Sequence, residues 1–118
     1  MVKVYVDDTR KAPEGWVQVW NISDAVDFIV ENYRQITHID FDYYLSETNH
    51  SHTGLQLIQY LKQLGVNVFH QPRENYTFHS SDSHMNEVMA NYLWSVKPEK
   101  SKTRVGGLQR LRNSKGRR

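Results

Sequence analysis

Short runs of apolar and β-branched residues alternate with longer amphipathic stretches along the first 95 residues of the chain. Residues 2–6 and 36–42 have the composition of strands, and the second run is predicted to be buried. Residues 16–20 predict a short edge strand, and residues 76–79 predict a further core strand. Residues 66–69 are a fifth candidate strand, which the turn-forming residues after it would end.

Three stretches place apolar residues three and four positions apart, at 26–33, 57–64 and 85–93. This spacing puts the apolar side chains on one face of a helix. Ser23 and Thr53 are the predicted N-caps of the first two helices, because a hydroxyl oxygen accepts a hydrogen bond from the first turn. Strands that alternate with helices predict a small, mostly parallel α/β sheet of about four strands with three main helices.

Charge is distributed unevenly along the 118-residue chain, whose formal net charge is +2. Residues 97–118 carry a net charge of +8, and residues 1–96 carry −6. We expect a folded domain over 1–96 and a flexible basic tail over 97–118, because the tail has too few apolar residues to form a core. The cationic residues of the tail are Lys97, Lys100, Lys102, Arg104, Arg110, Arg112, Lys115, Arg117 and Arg118.

This tail is predicted to bind a polyanion, although a terminus that only increases solubility is the alternative. Each phosphate that the tail neutralises would release counterions, so binding would be sensitive to salt and indifferent to sequence. We therefore expect nucleic acid or a nucleoprotein as the partner. The tail does not distinguish RNA from DNA or from a ribosomal surface.

The chain contains no cysteine, which excludes disulfides and thiolate metal sites. No apolar run reaches the length of a membrane span, and the N-terminal residues lack the apolar region of a signal peptide. We therefore expect a cytoplasmic protein with no membrane contact. The oligomeric state is not predicted by the sequence.

Two of the predicted strands end in pairs of carboxylates. Asp7 and Asp8 follow the first strand, and Asp40 and Asp42 end the strand at 36–42. Ligands of an open α/β sheet bind outside the carboxyl ends of the strands. If these two strands lie side by side and parallel, the four groups meet at one edge. Close carboxylates repel unless a cation lies between them, and Mg²⁺ or Mn²⁺ suits oxygen ligands. The structural alternative is that these acids form turns and cap helices.

Three segments carry a resemblance to a known family. Residues 6–10 read Val-Asp-Asp-Thr-Arg and are followed by Pro-Glu-Gly-Trp at 13–16. Residues 39–42 read Ile-Asp-Phe-Asp, with Thr-Gly at 53–54, and residues 78–82 read Phe-His-Ser-Ser-Asp. Together these segments resemble the cyclic-phosphate processing receiver domains, an offshoot of the response-regulator receiver fold.

The resemblance implies a receiver-like fold and a metal-dependent phosphoesterase-like activity on cyclic or terminal phosphates, including those at RNA ends. It also implies a role for each site residue. The expected Mg²⁺ or Mn²⁺ ligands are Asp7, Asp8, Asp40 and Asp42; the expected phosphate-binding groups are Arg10, Lys11 and Ser80; and the expected catalytic groups are Asp40 and His79.

The sequence also departs from the family pattern. Phe41 stands where the family has His, Tyr43-Tyr44 where it usually has Leu-Gly, and Asp82 where it has Asn. These departures motivate the alternative of a non-catalytic, receiver-like binding module that attaches to nucleic acid or a nucleoprotein through the tail. A phosphoacceptor role for Asp40 is a further variant, against which the chain shows no convincing Lys at the end of a last strand.

Overall fold

A computed structural model describes residues 1–95 of the chain. Its elements are β1 (Val2–Val6), β2 (Val17–Val19), α1 (Ile22–Asn32), β3 (Ile36–Phe41), α2 (Gly54–Lys62), a 3₁₀ turn (Arg73–Asn75), β4 (Tyr76–Phe78) and α3 (Ser83–Leu93). The predicted α/β class, with four strands and three main helices, is confirmed. The tail predicted at 97–118 lies outside the described residues. Within those residues, no helix is both long enough and apolar enough to cross a membrane.

The four strands form one sheet in the order β2-β1-β3-β4, and every neighbouring pair is parallel. β1 therefore lies directly beside β3, where Tyr5 pairs with Asp40 and Val6 pairs with Phe41. The chain crosses from β2 to β3 through α1 and from β3 to β4 through α2, in the same direction across the sheet. Because such crossovers are right-handed, both helices lie on the same face.

Alternate strand residues divide between the two faces of this sheet. Val4, Val6, Ile39 and Phe41 are fully buried, in one apolar core with residues of α1, α2 and α3. Tyr5 points to the opposite face and lies outside that core, although it is only 8 % exposed. The described helices thus cover one face and leave polar and aromatic side chains on the other. The strand residues of this second face are Lys3, Tyr5, Gln18, His38, Asp40 and Thr77.

One predicted helix cap is wrong. Asn21, not Ser23, is the N-cap of α1, and its side chain accepts a hydrogen bond from the N–H three residues later. The helix begins at Ile22 because that side chain packs against the core, so Ser23 lies exposed in the first turn. Thr53 caps α2 as predicted.

The predicted strand at 66–69 is also wrong, since none of the described strands includes it. The N–H of Val68 donates to the carbonyl of Val66 at 2.9 Å, which is a local turn and not a ladder. Val68 is buried and Phe69 packs against the core. The apolar character of this segment therefore serves packing and not strand pairing.

Candidate functional site

Asp7 follows the last residue of β1, and its side chain is fully buried. Its Oδ1 accepts hydrogen bonds from the N–H groups of Thr9 at 2.9 Å and Arg10 at 2.8 Å, so the chain turns around this carboxylate. Burial by itself would raise the pKa of Asp7, but these bonds and a bond from His79 hold the pKa below its ordinary value. Asp7 is therefore an ionised internal acid.

His79 follows β4 and lies between two carboxylates. Its Nε2 is 2.7 Å from Oδ2 of Asp7, and its Nδ1 is 2.9 Å from Oδ1 of Asp40. A carboxylate only accepts hydrogen bonds, so both ring nitrogens donate and the ring is an imidazolium. Burial would lower the pKa of His79, but the bonds to Asp40 and Asp7 raise it above the ordinary 6.5. This cation neutralises part of the negative charge at the strand ends. We call these three residues the Asp–His–Asp network.

Aromatic rings support the network on the sheet face that carries no helix. The Tyr5 ring stacks on His79 with 4.4 Å between centroids and 8° between planes. Trp16, from the connection between β1 and β2, meets Tyr5 edge to face at 6.3 Å. The ammonium of Lys3 lies 5.4 Å from the Trp16 ring centroid. The Tyr5 ring therefore packs flat against His79 and is itself packed against Trp16.

Beside the network, a cleft of about 370 Å³ opens at the carboxyl ends of the strands. We call it the strand-end cleft. Its lining includes two of the four predicted carboxylates and excludes the other two. The lining residues are Asp8, Thr9, Arg10, Asp42, Tyr44, Ser46, Glu47, His50, Ser80 and Ser81.

Asp42 and Asp8 are the carboxylates of this cleft that have perturbed acidity. Asp42 is only 6 % exposed, and burial together with the charge of Asp7 raises its pKa. Burial raises the pKa of Asp8 as well, with further repulsion from Asp7 and Glu47. Acids with raised pKa values at a cleft are typical of functional sites.

Arg10 joins the cleft to the Asp–His–Asp network. Its Nη1 donates to the backbone carbonyl of His79 at 2.9 Å and lies 3.7 Å from Oδ2 of Asp7. The side chain is 45 % exposed and lines the cleft. One guanidinium nitrogen is thus anchored, and a guanidinium has further N–H groups to offer an anion.

Gly54 allows α2 to approach the end of β3. A Cβ at this position would lie 2.1 Å from the carbonyl oxygen of Asp42 and 2.8 Å from Sδ of Met89. The N–H of Gly54 donates to the carbonyl of Tyr43 at 2.6 Å. A residue without a side chain therefore fixes the backbone of Asp42 at the cleft.

The structure brings together most of the metal-binding, phosphate-binding and catalytic residues predicted from the sequence within residues 1–95. Within residues 1–95, potential ligand atoms of Asp7, Asp42 and His79 lie within 4.8 Å of one another, a spacing that could hold a metal ion. While His79 is protonated, only the two carboxylates have lone pairs to bind such an ion. Asp8 and Arg10 lie at the adjoining cleft, and so does Ser80, which is 7 % exposed.

Asp40 contacts His79 and does not line the cleft, and Lys11 is exposed and does not line it either. The basic residues predicted to bind nucleic acid lie outside the described part of the chain. Sequence reasoning missed Tyr44 and His50 as cleft residues. The long polar loop that contains them was a signal for a binding site. Which way this loop folds over the sheet, however, depends on tertiary packing.

Two of the departures from the family pattern have structural explanations. Phe41 is fully buried on the helix-covered face and stacks on Phe78 at 5.8 Å, so position 41 faces away from the site. Asp82 is the N-cap of α3, where its carboxylate accepts from the N–H groups of His84 and Met85. Neither residue changes the groups that line the strand-end cleft.

The α/β fold with a site at its strand ends agrees with the comparisons with known proteins. No significant match was found among curated proteins or among solved structures. The model of one family matches residues 2–95, which is most of the chain and the whole of the described α/β domain except its first residue. The protein therefore belongs to the cyclic-phosphate processing receiver domain family.

Proposed function

We propose that the protein is a phosphoesterase-like enzyme that acts on cyclic or terminal phosphates, including those of RNA, in the strand-end cleft. The observation that supports it most is the meeting of Asp42, a buried acid with a raised pKa, and Arg10, an anchored cation, at one cleft. Hydrolysis of a cyclic phosphate adds one water, breaks one P–O ester bond and leaves a phosphate monoester.

Mg²⁺ or Mn²⁺ is part of this proposal, and the donor set fits it. Asp42 and Asp7 supply oxygen ligands within reach of one another, and Asp8 adds a third carboxylate at the cleft. When bound, the ion would polarise a phosphoryl oxygen or activate a water. The Nε2–H of His79 points to Asp7, so an ion that uses Asp7 competes with this hydrogen bond.

The residues divide into substrate-contacting and positioning groups. Arg10 binds the phosphate through its free N–H groups, and Asp42 acts at the reacting centre. Ser80 is held beside them, since its N–H donates to Oδ1 of Asn86 at 2.9 Å. His79 and Asp40 contact each other and do not line the cleft. They are therefore positioning residues in this proposal, whereas the family resemblance implied direct catalysis.

The test compares the wild-type protein with Asp42→Asn and with Asp27→Asn, an exposed acid of α1. Calorimetric titration with MgCl₂ or MnCl₂ measures ion binding, and turnover of adenosine 2′,3′-cyclic phosphate measures activity. We expect Asp42→Asn to lose both and Asp27→Asn to keep both. A wild-type protein that neither binds these ions nor opens a cyclic phosphate would overturn the proposal.

A second candidate function is a non-catalytic module that binds nucleic acid through the basic tail. The observation that favours it is the charge balance of the Asp–His–Asp network with Arg10, in which the cations His79 and Arg10 face the carboxylates of Asp7 and Asp40. This candidate predicts that deletion of 97–118 abolishes salt-dependent binding of single-stranded RNA, while Asp42→Asn leaves it unchanged. Equal RNA binding by the deleted chain would exclude it.

A further inference from the structure

Tyr44 is an unusual member of the strand-end cleft. The other lining residues are charged or polar, whereas Tyr44 presents a phenol ring that is 49 % exposed. An apolar ring face is costly to leave in water, yet this one does not turn towards the core. An exposed phenol ring in a cleft that also contains Arg10 and carboxylates is suited to stack on a flat ring of a ligand.

The backbone holds Tyr44 in place. Tyr44 pairs with Thr53 in an isolated antiparallel bridge. The next residue, Leu45, is 3 % exposed, and its N–H donates to the carbonyl of His52 at 2.9 Å. The Tyr43 ring meets the Tyr44 ring edge to face, with 4.8 Å between centroids. A ring that is already positioned loses little freedom when a ligand stacks on it.

The loop between these paired residues forms the adjoining wall. Oγ of Ser46 accepts a hydrogen bond from the N–H of Asn49 at 3.1 Å, and Oδ1 of Asn49 accepts from the hydroxyl of Ser51 at 2.6 Å. This local network positions His50, which also lines the cleft. The cleft is therefore lined by charged residues that follow the strands and by a loop that contributes an aromatic ring.

The charges of the cleft limit the ligand. Its lining contains one cation, Arg10, against the three acids Asp8, Asp42 and Glu47. A continuous strand, with a phosphate at every nucleotide, would be repelled by this lining. A single phosphate at Arg10 with a neutral ring beside it suits the cleft, whose volume of about 370 Å³ lies within the range of small-molecule sites.

We infer that Tyr44 is a stacking platform for a nucleobase, so that the ligand of the strand-end cleft is a terminal nucleotide with its phosphate at Arg10. This inference rests on the proposed function and names its substrate class. Stacking on an aromatic ring tolerates any base, because every base has a π face. The cleft would therefore select a nucleotide over a base-free sugar phosphate without selecting a sequence.

The test uses two probes that differ only in the base: adenosine 3′-monophosphate and methyl riboside 3-phosphate. Calorimetry measures their affinities for the wild-type protein, Tyr44→Phe and Tyr44→Ala. Tyr60→Ala is the matched control, because Tyr60 is also 49 % exposed but lies on α2 away from the cleft. We expect the base to strengthen wild-type binding about tenfold, Tyr44→Ala to remove that gain, and Tyr44→Phe and Tyr60→Ala to keep it.

The outcomes separate this inference from the proposed function. Equal affinity of the two probes for the wild-type protein overturns the stacking role and leaves the phosphate site intact. The role of Tyr44 is also overturned if the affinity gained from the base persists in Tyr44→Ala. The same holds if that gain is lost in Tyr60→Ala. A wild-type protein that binds neither probe overturns this inference, whereas the proposed function is overturned only if ion binding and turnover of the cyclic phosphate are absent as well.

Discussion

Asp7 and Asp8 are neighbours in the sequence and have opposite surroundings. Asp7 is fully buried and accepts hydrogen bonds from two backbone N–H groups and from His79. Asp8 lines the strand-end cleft, and its pKa is raised, where that of Asp7 is lowered. The difference shows that the two acids of one pair have different surroundings: the first holds the turn after β1 through its hydrogen bonds, and the second lines the cleft.

The strongest test of this comparison is Asp7→Ala. It leaves His79 and two backbone N–H groups without their partner, so we expect the free energy of unfolding to fall by about 3–5 kcal/mol. Asp8→Ala is the matched control, with an expected change within about 0.5 kcal/mol. Urea unfolding measures both values. Equal losses in the two variants would contradict the division between them.

Gly54→Ala tests how closely α2 must approach Asp42. The new Cβ would meet the carbonyl oxygen of Asp42 and Sδ of Met89, and the backbone must shift. We expect a loss of about 1–3 kcal/mol in unfolding free energy, as for other overpacked sites. Because the shift displaces Asp42, ion binding at the cleft should weaken as well. An unchanged melting temperature with unchanged ion binding would show that the contact is not needed.

The pH dependence of stability tests the Asp–His–Asp network, to which Asp7 belongs and Asp8 does not. The folded pKa of His79 is raised, so its contribution is complete below 6.5 and is lost as pH rises through the folded pKa. The folded pKa of Asp7 is lowered, so its contribution is complete above 3.8 and is lost as pH falls through the folded pKa. We expect His79→Asn to flatten the alkaline decline, as measured by urea unfolding at several pH values. A parallel decline in wild type and variant would contradict this.

Asp42→Asn has the smallest expected effect on stability, although it should abolish function. A raised pKa means that the folded state disfavours the ionised Asp42 at neutral pH. A neutral amide of the same shape should therefore leave the unfolding free energy unchanged or raise it slightly. Thermal unfolding measures the stability of the variant, and the ion titration measures its loss of function. A clearly less stable variant would place Asp42 with Asp7 as a structural acid.

Much of the fold could be predicted from local pattern. Periodicity located the four strands and three helices, because a strand or helix that buries one face must repeat its apolar residues at the matching spacing. The errors arose where packing competed with propensity. Asn21 caps α1 because Ile22 is drawn into the core, and residues 66–69 pack without pairing.

By itself, the sequence placed acidic groups at the carboxyl ends of two predicted strands and indicated the family to which the chain belongs. That β1 and β3 are neighbours, and therefore that these groups meet, depends on the strand order of the folded sheet. The tertiary structure alone decided which acids are held in the Asp–His–Asp network and which line the strand-end cleft. His79 and Asp7 are 72 positions apart, and Tyr44 lines the same cleft as Arg10 only through the path of a loop. Such contacts depend on distances between distant segments, which no local pattern encodes.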